Sequence, residues 1–137
     1  MKNKNWIWVG ALMMSASIAS ADDVSDAKTL LCAGSEAIVC SEYEGCESGP
    51  PWNWNIPSFI KIDLEKKELA TTEASGENRV TPIRNVHRED GRVFLQGSER
   101  GRAFSFVVNE ESGFITVAVA WDDYTVSVFG SCTVHPE

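Results

Sequence analysis

From residue 56 onward, apolar side chains recur at every second position, and short polar breaks cut the runs. Ile60, Ile62 and Leu64 share one face, with Lys61 and Asp63 on the other. Val93 and Leu95 alternate with Arg92 and Gln96, and Phe104, Phe106 and Val108 alternate with Ala103, Ser105 and Val107. Ile115, Val117, Val119 and Trp121 form the longest apolar face, and Tyr124, Val126 and Val128 form the last. A period of two is the geometry of a half-buried strand. The breaks fall at Glu65-Lys66, Asp90-Gly91, Ser98 to Gly101, Asn109 to Gly113 and Asp122-Asp123. Asp-Gly between two such runs signals a tight hairpin, and connections this short force antiparallel neighbours. The pattern predicts strands over 35–40, 58–64, 67–73, 79–88, 92–97, 102–109, 113–121 and 124–132. The expected fold is all-β: a small antiparallel meander, closed as an up-and-down barrel of about eight strands because closure removes exposed edges. An open sheet or a sandwich is the rival. Leu30, Leu31, Gly34, Ala37 and Ile38 also fit a helical face, so a short N-terminal helix over 26–38 stays open beside the strand.

The first residues carry Lys2 and Lys4 and no acid; an apolar run from Trp6 to Met14 follows, then small residues ending Ala19-Ser20-Ala21. That is the order of a cleavable export signal: charged start, short apolar core, A-x-A site. The run is too short to span a bilayer, which needs about 20 residues. Cleavage is expected after Ala21, giving a signal peptide over 1–21 and a single domain over 22–137. The nearest cysteine, Cys32, lies beyond Asp22 and Asp23, so the sequence is not read as a lipoprotein.

The 116 residues from 22 to 137 suit one domain with a modest core. The full chain has 12 basic and 20 acidic residues; without Lys2 and Lys4 the balance is ten against twenty. Such a chain repels phosphate backbones and anionic lipid surfaces. Nucleic acid and membrane are therefore not expected as partners, whereas a basic protein would be steered towards it.

Four cysteines follow the signal: Cys32, Cys40, Cys46 and Cys132. An even count in an oxidising compartment points to two disulfides, and four cysteines allow three pairings. Cys40 and Cys46 bracket the polar stretch Ser41-Glu42-Tyr43-Glu44-Gly45, which favours a local Cys40–Cys46 bridge. Cys32 would then join Cys132, tying the start of the domain to its end. Closing a loop of about 100 residues contributes ~4 kcal/mol by chain entropy. Cys132 continues the face of Val126 and Val128 and is expected to point inward. Zinc-type spacing is absent, with no C-x2-C and only His87 and His135 to add. No metal or cofactor is expected.

Gly49-Pro50-Pro51-Trp52-Asn53-Trp54-Asn55-Ile56-Pro57 reads as a stiff irregular loop. Trp52 and Trp54 either cap an open end of the barrel or form a partner-binding surface, as tryptophan does at interfaces. Glu42, Glu44 and Glu47 form a solvated acidic loop without calcium-loop spacing. Arg79, Arg84, Arg88, Arg92, Arg100 and Arg102 spread over three hairpin arms, among Glu73, Glu77, Glu89, Asp90 and Glu99, which favours ordinary cross-strand pairing. Arg84 shares a predicted face with Val80 and Val86, so either it points inward or the register there differs from the one predicted. Gly97-Ser98-Glu99-Arg100-Gly101 is not a nucleophile elbow, and His87 reads as a surface residue. No catalytic residue is assigned.

Leu95-Gln96-Gly97-Ser98-Glu99, Phe104-Ser105-Phe106-Val107-Val108 and Ser112-Gly113-Phe114-Ile115-Thr116 resemble a group of small exported proteobacterial proteins. That resemblance implies export and names no activity. The architecture is also analogous to the periplasmic lysozyme-inhibitor barrels, but Ser112-Gly113 is followed by Phe114, Ile115 and Thr116 instead of their Ser-Gly-x-x-Tyr pattern. The lipocalin G-x-W signature is missing as well. The expected function is a non-enzymatic, monomeric binding or interaction module in the bacterial periplasm or medium, meeting a basic protein or a small ligand. An inhibitor of a basic enzyme such as a lysozyme is the first alternative, and a small hydrolase the second.

Overall fold

A computed structural model describes residues 22–75 and 78–136; the expected export segment 1–21 and Glu77 lie outside the described residues. Ten antiparallel strands run in chain order: β1 (Thr29–Ser41), β2 (Gly45–Gly49), β3 (Phe59–Asp63), β4 (Glu68–Thr71), β5 (Val80–Pro82), β6 (Asn85–Glu89), β7 (Arg92–Glu99), β8 (Arg102–Asn109), β9 (Phe114–Ala120) and β10 (Tyr124–Val134). The sheet order is β5-β4-β3-β1-β10-β9-β8-β7-β6, with β2 paired to β1 off this path. All pairings are antiparallel. The meander expectation therefore holds, as a sheet curled into a half-barrel.

The curl has a seam instead of a complete ladder. Its two edges, β5 and β6, are consecutive in the chain, separated only by Ile83 and Arg84. Ile83 N–H donates to Lys67 on one side of the seam (2.8 Å), and Arg84 N–H donates to Gln96 on the other (2.9 Å). The single strand expected over 79–88 is thus two strands that change partner midway. The alternation slips there: Thr81 and Ile83 are buried, Arg84 and Asn85 are both exposed, and Val86 is half-buried. Arg84 therefore points outward. Val80 is exposed on the same face (56%), so that face is the outer one, and the slip separates only Val86 from it.

The helical alternative for 26–38 gives way to β1. This strand pairs with β10 along its length, with β3 through Thr29–Ala33, and with β2 through Ala37–Ser41. Its register shifts between Gly34 and Glu36. Leu30, Cys32 and Gly34 occupy alternate positions before the shift, and Ala37 and Val39 continue the series after it. The three-residue step across the bulge imitates helical spacing.

Turn chemistry fits each connection. Asp90-Gly91 and Arg100-Gly101 both have positive φ at the two central positions (49° and 69°; 49° and 77°), as two-residue turns of the primed type require. Asp63 Oδ1 accepts from the N–H groups of Glu65 and Lys66, and Asn109 Oδ1 accepts from those of Glu111 and Ser112.

An up-and-down path sends alternate turns to opposite ends. The turns after β3, β6 and β8 gather at one end, and there residues 22–28 fold over the opening. Val24 N–H donates to Glu110 O (2.7 Å), Leu64 N–H donates to Lys28 O (2.9 Å), and Arg88 Nη2 donates to Ala27 O (3.2 Å). Val24 and Ala27 thereby join Leu30, Ile62, Ile83, Val93, Leu95 and Val108 in the main core. Two disulfides brace β1: Cys32–Cys132, inside the curl between directly opposed residues of β1 and β10, and Cys40–Cys46, across the β1–β2 hairpin. Among the described residues no helix is long and apolar enough to cross a membrane.

Candidate functional site

The opposite end of the curl is hollow. The connections after β4, β7 and β9 meet there around a cavity of about 400 Å³, partly open to solvent. Its walls are apolar: Ile60, Leu69, Phe104, Phe106, Ile115, Val117, Val119, Val126 and Val128 all contribute. These are the inward positions of β3, β4, β8, β9 and β10, so the alternation that defines the strands also lines the cavity. A few hundred cubic ångströms of apolar space with a small number of polar groups matches the usual dimensions of a small-ligand site.

The polar groups come from three different hairpin arms. Glu99, the last residue of β7, faces Arg102, the first of β8, across the Arg100-Gly101 turn. Arg102 Nη2 donates to Glu99 Oε2 at 3.0 Å, and Arg79 Nε lies 3.8 Å from Glu99 Oε1. The side chains are largely shielded: Arg79 is 25% exposed, Glu99 17% and Arg102 22%. Burial opposes ionisation of Glu99, but the Thr81 hydroxyl, the Arg102 hydrogen bond and the charges of Arg79 and Arg102 outweigh it and hold its pKa below the ordinary value. Arg102 also lies over the Trp121 ring, 5.2 Å from the centroid, and Trp121 stacks on Tyr124 at 4.2 Å across the β9–β10 turn. One carboxylate thus lies between two guanidiniums, and one guanidinium lies over Trp121, which in turn stacks on Tyr124.

The Trp-Pro segment supplies part of the rim. Residues Pro51–Trp54 form a 3-10 turn with Pro51 buried. Pro51 lies against Gly34 of β1, where an added Cβ would come within 3.2 Å of it. The Trp54 ring rests near Gly49, where an added Cβ would meet it at 3.4 Å. Trp54 so held lines the cavity with Asn55, Ile56 and Pro57. Trp52, by contrast, is 65% exposed and does not line it. The two tryptophans that the sequence treats together therefore part: Trp54 belongs to the cavity rim and Trp52 to the outer surface.

The arginines do not form one patch. Arg88 pairs with Glu110 (3.5 Å) at the filled end, Arg92 Nη1 donates to Asp90 O, and only Arg79 and Arg102 converge, on Glu99. Neither histidine lines the cavity; His87 lies 3.5 Å from Glu89 on exposed β6, and a His135 ring nitrogen contacts its neighbour Pro136 O. Glu42, Glu44 and Glu47 are exposed on the β1–β2 hairpin. Among the described residues, no group of three histidine, cysteine or acidic side chains is placed to hold a metal ion. Sequence reasoning missed the Arg79–Glu99–Arg102 cluster because Arg79 lies twenty residues before Glu99 and its strand changes partner between them. The available signal was Glu99 and Arg102 flanking an Arg-Gly turn at the ends of inward-facing rows. No protein-family model, curated protein or solved structure matches this chain.

Proposed function

We propose that this chain is an exported, non-enzymatic protein that binds a small, largely apolar ligand inside the hollow end of its half-barrel. The observation that carries this reading is the cavity of about 400 Å³, apolar in its walls and polar at its rim. A filled sheet interior would interdigitate side chains to crystal-like density. Here the inward rows of β8, β9 and β10 leave open space between themselves and Ile60 of β3 and Leu69 of β4. Export rests on the N-terminal pattern of residues 1–21 and agrees with the two disulfides. The test is a fluorescence titration of the mature protein with the neutral apolar dye N-phenyl-1-naphthylamine. Saturable one-to-one binding, accompanied by a change in Trp54 and Trp121 emission, is the expected result. Absence of saturable binding sinks the reading.

A second reading, engagement of a basic protein such as a lysozyme, draws on the β1–β2 hairpin. It is braced by Cys40–Cys46 and carries Glu42, Glu44 and Glu47, with Tyr43 88% exposed at its tip. Salt-sensitive capture of lysozyme by the mature protein, lost on Glu42→Gln/Glu44→Gln/Glu47→Gln, would support it. Capture unaffected by salt or by the triple variant would reject it.

A further inference from the structure

The hollow end is deep for its volume. On β10 the lining positions run from Tyr124 at the mouth through Val126 and Val128 to Gly130, six residue steps along the strand. At about 3.3 Å per residue that is about 20 Å of strand. Strands of a curled sheet lie about 40° from the axis of the curl, which makes the depth about 15 Å. Spreading the volume of about 400 Å³ over that depth leaves a mean cross-section of roughly 27 Å². Hydrocarbon chains in contact at about 4.5 Å occupy on the order of 20 Å² each. One extended chain fits such a slot, and two side by side do not.

The walls and the floor agree with that shape. Val119 and Val126 are cross-strand partners, as are Val117 and Val128 one level deeper. They give β9 and β10 a face of short, β-branched side chains with few rotamers. Among the described residues, β8, β9 and β10 bring no polar side chain to the cavity below the level of Arg102, Trp121 and Tyr124. At the bottom, the opposed Gly34 and Gly130 contribute no side chain, and the next inward pair is Cys32–Cys132. Both cysteines are 2% exposed, and the filled core begins beyond them. Carbon–carbon bonds of about 1.5 Å advance an extended chain by about 1.25 Å per carbon, so a depth of about 15 Å takes about twelve carbons.

We infer that the ligand presents a single unbranched hydrocarbon chain of about twelve carbons, inserted end-on. Its methyl terminus lies towards the Cys32–Cys132 disulfide, and its polar end lies level with Arg102, Trp121 and Tyr124. The inference rests on the cavity being a ligand site and names the class of ligand that it takes.

The experiment is competition for the mature protein between N-phenyl-1-naphthylamine, whose flat rings enter a narrow slot edge-on, and neutral alcohols below their solubility limits. Straight-chain 1-alkanols from hexanol to tetradecanol keep the headgroup constant, so only the chain varies. Affinity should rise about fourfold per methylene up to about twelve carbons and then stop rising, because further methylenes stay outside the slot. Cyclododecanol has the carbon count and the hydroxyl of dodecanol, folded into a ring two chains wide. It should compete at least about tenfold more weakly than dodecanol, as overfilling a packed space costs that much. Val117→Phe fills the slot one level above Gly130 and should move the plateau down by about four carbons, the depth of two residues of strand. Hexanol, which does not reach that level, should stay within about twofold of its wild-type affinity. If Val117→Phe does not fold, the wild-type series and the ring comparison decide the matter alone. Affinity still rising at tetradecanol, or cyclododecanol equal to dodecanol, overturns the chain inference while the cavity reading stands. Saturable dye binding that no alcohol displaces does the same, and so does a plateau unmoved in folded Val117→Phe. Without saturable dye binding the cavity reading falls, and the chain inference with it.

Discussion

The two ends of the half-barrel are made of the same strands and treat their interiors oppositely. At the end closed by residues 22–28, Leu30, Ile62, Val93, Leu95 and Val108 are all but completely buried. At the other end the same inward rows continue through Val117, Val119 and Val128, yet these side chains are only half-buried and face open space. The difference lies in what each end receives. The filled end receives Val24 and Ala27 from the N-terminal segment, pinned by backbone hydrogen bonds to Glu110 and Leu64. The hollow end receives Trp54 at its rim and the Arg79–Glu99–Arg102 cluster. A curled sheet can thus be filled at one end and hollow at the other.

The largest effect expected from breaking this arrangement is at the Cys32–Cys132 disulfide, which spans 100 residues and lies between the two ends. Replacing both cysteines with serine should cost about 4 kcal/mol by chain entropy, against about 2 kcal/mol for Cys40–Cys46, whose separation is 6. Urea midpoints of the two double variants give the comparison; a greater loss from the hairpin bridge would contradict it. Next in size is a matched pair of truncations. Leu95→Ala at the filled end should cost about 2–5 kcal/mol, because it opens a new cavity. Leu69→Ala lines space that is already open, and should cost only about 1 kcal/mol for the reduced burial. Equal losses would mean that the two ends are packed alike.

A smaller effect separates the ends by pH. Because the folded-state pKa of Glu99 is depressed, its contribution to stability is complete above the ordinary glutamate value of about 4.3 and is lost as pH falls through the folded value. Between about pH 7 and pH 3 the wild type should therefore lose more stability than Glu99→Gln, the difference isolating this one group from the other carboxylates. Parallel pH dependences of the two urea midpoints would remove the cluster's energetic role.

Much of the filled end was legible in the sequence, and little of the hollow one. Strands β7 to β10 announce themselves by clean alternation between Gly-containing or Asp-containing turns. Strand β1 was obscured by its bulge at Ser35, which puts a step of three into a period of two. Strand β2 was hidden because Gly45-Cys46-Glu47-Ser48-Gly49 buries almost nothing, so the only cue was the spacing of Cys40 and Cys46. The cavity was illegible for a different reason. Periodicity says which side chains point inward, but not whether they reach across to one another. Val119 and Trp121 read as core by that criterion. Glu99 and Arg102 continue the inward rows of Val93–Leu95 and Phe104–Phe106, but as charged residues beside a turn they read as ordinary cross-strand pairing.

We propose that the hollow end of the curl is filled by a ligand and not by the chain itself. Val119→Trp tests it most directly, since Val119 faces the cavity from β9 and a tryptophan there would occupy the space. The measurement is the affinity of N-phenyl-1-naphthylamine for this variant beside the wild type, with both folded under the same conditions. Saturable binding by the wild type and its loss in Val119→Trp are the expected results. Undiminished dye binding in Val119→Trp would contradict it.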